Sequence, residues 1–170
     1  VQRQFVKCAT GLITRYFYDP PTFRLVNLLT KEEGTADNQA HQHLFYTHDP
    51  CGNIVYTKDD AQQTHFFNNA VVKPESRFEY DALYQLKKAT GRELAGLGNA
   101  DAQRNDTDLA ALNQLPHVND ANAVRTYREE YDYDDLGNIL FQRHIATGAS
   151  WTQHYRYEYQ DDPTNNTNRL

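Results

Sequence analysis

The chain is most informative first in what it does not contain. No run approaches the roughly 18 apolar residues that a membrane-spanning helix needs, so a transmembrane helix is excluded. No basic run is longer than Lys87-Lys88, and a net charge of −6 with a pI near 5.6 disfavours nonspecific nucleic-acid binding. Two cysteines, Cys8 and Cys51, are too few for a disulfide framework and are read as separate thiols. Methionine is absent from all 170 residues and the chain begins at Val1, so the expectation is an excerpt of a larger polypeptide. The lack of a leader then says nothing about where that polypeptide goes.

What the chain has in quantity is aromatic residues, twelve Tyr and eight Phe, and they recur in order. An aromatic strand runs into a turn and emerges on an aliphatic in YFYDPPTFRL (Tyr16 to Leu25), YTHDPCGNI (Tyr46 to Ile54), FEYDALYQL (Phe78 to Leu86) and YDYDDLGNI (Tyr131 to Ile139). A degraded fifth copy, YEYQDDPTNNTNRL, runs from Tyr157 to Leu170 and includes Tyr159. Residues two apart share one side of a strand, so Tyr16 with Tyr18, Phe78 with Tyr80, and Tyr131 with Tyr133 form paired aromatic stripes. Asp19, Asp49, Asp81 and Asp134 each open a turn. An Asp there hydrogen-bonds the backbone ahead of it, Pro50 presets the next φ, and Gly52 and Gly137 suit the position after the central pair. The aliphatic arrives after five residues in three copies and after six in the first, whose turn carries one residue more.

The aspartates lie 30, 32 and 53 residues apart. About 30 residues suffice for two ordinary antiparallel strands with connections. One hairpin cannot bury its aromatic face alone, so neighbours must stack beside it. The fold expected is all-β: consecutive antiparallel hairpins in a curved strip, with repeat units near residues 15–30, 43–60, 64–93, 125–145 and 151–170. Residues 94–124 break the rhythm and read as an insertion, with a short helix across Asp108 to Leu115 that Pro116 stops. Lys31 to Gln42 reads as a surface loop. Asn68-Asn69 predicts a two-residue hairpin between Thr64–Phe67 and Ala70–Lys73.

Several catalytic or metal readings fail on spacing. His41, His43 and His48 have no nearby Cys or Glu to complete a zinc set. Asp132, Asp134 and Gly137 match three places of a calcium loop, but Leu136 and Arg143 occupy two others that need oxygen ligands. Asp59-Asp60 and Asp161-Asp162 are adjacent carboxylates that point to opposite faces of a strand. No metal, cofactor or enzyme activity is expected.

The pattern Tyr-x-Tyr-Asp-x-x-Gly-Asn-Ile, in phase with the blocks DDAQQT and YDALYQLKKATGRE, resembles the Rhs/YD-repeat family. It is similar to the repeat region of the B and C components of insecticidal Tc toxins and of stand-alone relatives. The resemblance implies a β-strip that spirals into a hollow shell enclosing a toxic C-terminal polypeptide in a secreted toxin. The implied partners are the rest of the same polypeptide, other toxin-complex subunits and the enclosed polypeptide, with no nucleic acid and no membrane span. Tyr16, Tyr18, Tyr46, Phe78, Tyr80, Tyr131, Tyr133, Tyr157 and Tyr159 would be stacking residues, with Asp19, Asp49, Gly52, Asp81, Asp134 and Gly137 forming the turns. The family's self-cleavage signature is absent, so that activity is not carried over. The alternative is a teneurin-like surface module for glycan or protein adhesion, with Trp151 as a sugar-stacking residue. An excerpt of such a strip leaves an edge and an aromatic face uncovered, so it is expected to be held by its own polypeptide, by partners or by self-association.

Overall fold

A computed structural model of the chain describes residues 2–95, 122–159 and 162–166. Ten strands form one sheet in the order β1-β2-β3-β4-β5-β8-β9-β10-β11-β12. They are β1 (Phe5–Lys7), β2 (Leu12–Tyr18), β3 (Leu25–Glu32), β4 (Gln42–His48), β5 (Ile54–Asp59), β8 (Glu75–Tyr80), β9 (Leu86–Leu94), β10 (Val124–Tyr133), β11 (Ile139–Ala146) and β12 (Trp151–His154). Two small two-stranded sheets accompany it: β6 (His65–Phe67) with β7 (Ala70–Val72), and β13 (Glu158–Tyr159) with β14 (Asp162–Asn166). The all-β expectation holds. The chain divides into two compact units, residues 1–78 and 79–170, described separately below.

In the first unit, β2 pairs antiparallel with β3, β3 with β4, and β4 with β5, each by a local connection. The opening segment is a hairpin. It folds at Gly11 (φ 89°), giving short β1 paired with β2. The polar stretch after β3 is a loop from Glu33, holding a single 3₁₀ turn at Asp37–Gln39. Lys31 is buried, and its ammonium lies 2.7 Å from the Asp37 carboxylate and also donates to the Thr35 carbonyl. The Asn68-Asn69 hairpin forms as expected. Both residues sit at positive φ (48° and 61°), the primed turn that matches strand twist. This hairpin stands aside from the main sheet, so β5 pairs with β8 directly, Tyr56 opposite Arg77.

In the second unit β9, β10, β11 and β12 form a meander. Val124 pairs with Leu94, and the Ala95 amide donates to the Ala123 carbonyl at 2.6 Å. Thus β9 and β10, on either side of the expected insertion, are paired neighbours. The expected helix across Asp108 to Leu115 lies outside the described residues, as do the side chains of the fifth copy from residue 158 on.

The core is thin. Among the described residues its buried apolar members are Ile13, Leu29 and Val72 in the first unit, and Val124 with the alanines 89, 95, 123, 146 and 149 in the second.

Candidate functional site

The four aspartates all build hairpin tips. The amide of each closes the loop onto the residue before the next strand: Asp19 to Arg24 (2.8 Å), Asp49 to Asn53 (2.9 Å), Asp81 to Gln85 (3.0 Å) and Asp134 to Asn138 (2.9 Å). The first loop carries the extra residue anticipated. Each carboxylate then satisfies amides that the turn leaves without partners. Asp49 Oδ1 accepts from the Gly52 and Asn53 amides at 2.7 and 2.9 Å, and Asp134 Oδ1 from Leu136 and Asn138 at 2.9 and 2.8 Å. Asp81 accepts from Leu83 and Gln85, and Asp19 from Thr22. The strands on either side of three tips show a register shift, at Phe17/Tyr18, Thr47/His48 and Asp132/Tyr133, which is a β-bulge.

Hydrogen bonds to the ionised form hold the Asp49 and Asp134 carboxyls below the ordinary value of 3.8, the Asn53 and Asn138 side chains contributing most. A carboxyl depressed in the folded state adds stability that is complete above its unfolded value and is lost as pH falls through the folded one. The tips are therefore expected to loosen below about pH 4. A carboxyl NMR titration should show both midpoints below the ordinary value, and Asp134→Asn should remove that share of the acid dependence. An ordinary midpoint at both residues would contradict the assignment.

The aromatic positions lie as the alternation requires. Tyr16, Tyr18, Tyr46, Phe78, Tyr80, Tyr131, Tyr133 and Tyr157 are half-buried, whereas Phe17, between two of them, is 45% exposed. Tyr159 has no described side chain. Two tyrosines immediately preceding a tip aspartate make the same contact: Tyr18 donates to the Arg3 carbonyl at 2.9 Å and Tyr133 to the Leu86 carbonyl at 2.8 Å, each reaching the preceding strand or its entry. Burial raises the phenol pKa of Tyr46 and Tyr133. Tyr133→Ala is expected to destabilise by about 2 kcal/mol from partial burial and one lost hydrogen bond, measured by urea unfolding. No change would remove Tyr133 from the stacking set.

A polar cluster on the second unit was not anticipated. His144 is only 4% exposed, with Nδ1 3.4 Å from Glu129 and Nε2 3.2 Å from Glu93. Arg125 Nε donates to Glu93 at 2.7 Å and its Nη1 to the Thr147 carbonyl at 2.7 Å, while Nη2 is buried without a partner. The Tyr131 hydroxyl donates to Glu129 at 2.5 Å. Trp151 stacks on the His144 ring, centroids 5.1 Å apart and planes within 5°, and Tyr127 leans on it at the same distance. Burial, then the bond to Glu129, pushes the Tyr131 phenol far up, and burial does the same more mildly to Tyr127. Strand pairing assembles this set: His144 lies opposite both Glu129 and Trp151, and Arg125 opposite Glu93. Two nearby carboxylates and one imidazole do not converge on a point, because each ring nitrogen faces a different carboxylate. Among the described residues no group of three or more His, Cys, Asp or Glu is placed to hold a metal. The arrangement is a buried fastening across four strands, β9 to β12.

His41 is 3.9 Å from Glu32, and the His43 ring lies 4.5 Å from Phe45. Cys8 and Cys51 are exposed, with no disulfide between them. No helix among the described residues is long and apolar enough to cross a membrane.

No protein-family profile matches the chain. Over 142 residues it is 36% identical to toxin subunit YenC2 and 35% identical to toxin subunit YenC1 of Yersinia entomophaga, covering 82% of this chain and 14% of each relative. Those names describe toxin subunits rather than catalysts. Among solved structures, a crystal structure of TcdB2-TccC3-Cdc42 matches 92% of the chain at 32% identity with a TM-score of 0.70, over 7% of its own chain. A Photorhabdus luminescens Tc holotoxin pore matches 96% at 30% identity, also with a TM-score of 0.70, over 8% of its chain. The repeated Asp-led tips, the aromatic alternation and these matches together place the chain in the Rhs/YD-repeat family, as a stretch of sheet like that of Tc toxin components.

Proposed function

We propose that this chain forms a length of wall in a β-shell that encloses and protects a toxic C-terminal polypeptide in a secreted Tc/Rhs-type toxin. The observation that carries this reading is the extent of the match, in which hairpin after hairpin over nearly the whole chain follows Tc toxin chains. A wall of this kind works by geometry. Hydrogen-bonded neighbours leave no gap for a protease, and the tip bonds and the buried fastening keep adjacent hairpins from sliding. Its partners are the remainder of its own polypeptide, the other subunits of the complex and the enclosed polypeptide.

The adhesion reading needs an aromatic platform facing solvent. Trp151, the residue that reading singles out, is half-buried with one ring face against His144. The test is limited proteolysis of the parent polypeptide. Material following the repeats should survive a protease that digests it when expressed alone, and Glu93→Ala should shorten that survival. Equal digestion in both contexts would refute the enclosing role.

A further inference from the structure

Strand register sorts the first unit into two faces of different chemistry. Residues paired across strands point to the same side, and successive residues to opposite sides. Tyr16 pairs with Leu28 and Leu28 with Leu44, Thr14 pairs with Thr30, and Tyr46 pairs with Thr57, which faces Ser76 in turn. The Thr14 and Thr30 hydroxyls lie 3.0 Å apart, as a shared face requires. This face is aliphatic, aromatic and hydroxylic from β2 to β8. Its carboxylates, Glu32 and Asp59, stand at the strand ends away from the tips, and Asp59 is occupied by the His43 and Ala61 amides. No Lys or Arg falls on it among the described paired residues of this unit. The opposite face holds the cations: Lys7 and Lys31 opposite Ile13, Arg15 opposite Leu29, Lys58 opposite Phe45, and Arg77 opposite Tyr56. The loop after β3 folds onto this second face, because Lys31 bonds to Asp37 and Lys7 to Glu33.

We propose that the face bearing Tyr16, Leu28, Thr30, Leu44 and Thr57 is the inner one, and that it meets uncharged, extended stretches of the enclosed polypeptide. The inference rests on the enclosing role proposed above. An antiparallel sheet keeps its charged face in water and turns the other toward a covering layer, since burying ammonium or guanidinium groups is costly. Arg15, Phe17 and Arg77 are exposed on the cationic face, which is thereby the outward one. The cover for the other face comes from outside this chain, which spans 7% of the TcdB2-TccC3 chain and 14% of YenC2. Hydroxyls bond backbone groups of any sequence, and aliphatic side chains take apolar ones. Polypeptide lying there is then neither selected by charge nor fixed by ion pairs.

Photocrosslinking in the whole parent polypeptide tests the assignment. Benzoylphenylalanine replaces Leu28 or Leu44 on one face, and Phe17 or Thr47 on the other. After irradiation, peptides joined at positions 28 and 44 should come from the polypeptide that follows the repeats, and those joined at 17 and 47 should not. A second measurement avoids the bulky probe, with Cys8 and Cys51 replaced by serine. Thr57→Cys should react with a small maleimide and lose that reaction with a polyethylene-glycol maleimide, whereas Thr47→Cys should react with both. Links to the following polypeptide from positions 17 and 47 in place of 28 and 44 would reverse the faces and overturn the assignment, leaving the enclosing role intact. Reaction of Thr57→Cys with the large reagent, in a parent whose following polypeptide resists protease, would overturn it in the same way. Links from positions 28 and 44 to other strands of sheet alone would show that wall rather than cargo covers this face, and would overturn it too.

Discussion

Glu93→Ala is expected to destabilise the second unit by about 3–5 kcal/mol. Glu93 is shared between Arg125 at 2.7 Å and His144 at 3.2 Å, all three side chains at most 15% exposed. Removing the carboxylate leaves the Arg125 guanidinium buried, among the described residues, with only the Thr147 carbonyl to accept from it, and its Nη2 is already without a partner. An uncompensated buried charge cannot recover its hydration. Glu93→Gln keeps the shape and an acceptor, so it should lie well below the alanine variant. Urea unfolding followed by tryptophan fluorescence suits the measurement, because Trp151, the single tryptophan, stacks on His144. A loss under about 1 kcal/mol would mean that the cluster is solvated and contributes as weakly as a surface pair.

Gly91→Val is expected to cost about 2–3 kcal/mol, for a reason separate from charge. Gly91 lies opposite Tyr127, and a Cβ there would stand 2.7 to 2.9 Å from three atoms of the tyrosine ring. The ring also leans on His144, with centroids 5.1 Å apart, which limits its room to retreat. Tyr127 thereby covers the bare backbone that a glycine exposes in the middle of a sheet. The companion measurement is Gly91→Ala on a Tyr127→Ala background, where the substitution should become neutral or slightly stabilising because alanine loses less entropy than glycine. An equal cost with and without the Tyr127 ring would place the effect in the backbone instead.

These two residues mark where the sequence stops being legible. Asp19, Asp49, Asp81 and Asp134 could be read as tips because a turn is decided by four or five consecutive residues. The alternation of Tyr16 and Tyr18, or Tyr131 and Tyr133, gave the strand faces equally locally. Gly91 and Glu93 were visible only as letters in the block ATGRE. Their physical roles depend on Tyr127 and on Arg125 and His144, which lie 32 to 51 residues further on and meet them through strand register alone. His144 drew no attention beside His41, His43 and His48. The one local signal was its place in step with Ala146 on β11, both of them buried. The pairing of β5 with β8 past the Asn68-Asn69 hairpin, and of β9 with β10 past the insertion, are likewise choices of register that no local pattern encodes.

The central claim is that this sheet is wall, with one face turned toward an enclosed polypeptide. The most direct test is an experimental structure of the whole parent polypeptide. The account predicts that residues 2–95 and 122–159 take their places in a closed β-shell, with the half-buried side chains of Tyr16, Tyr46, Tyr80 and Tyr133 packed within the wall and additional density inside. An open strip with solvent on both faces and nothing enclosed would contradict it.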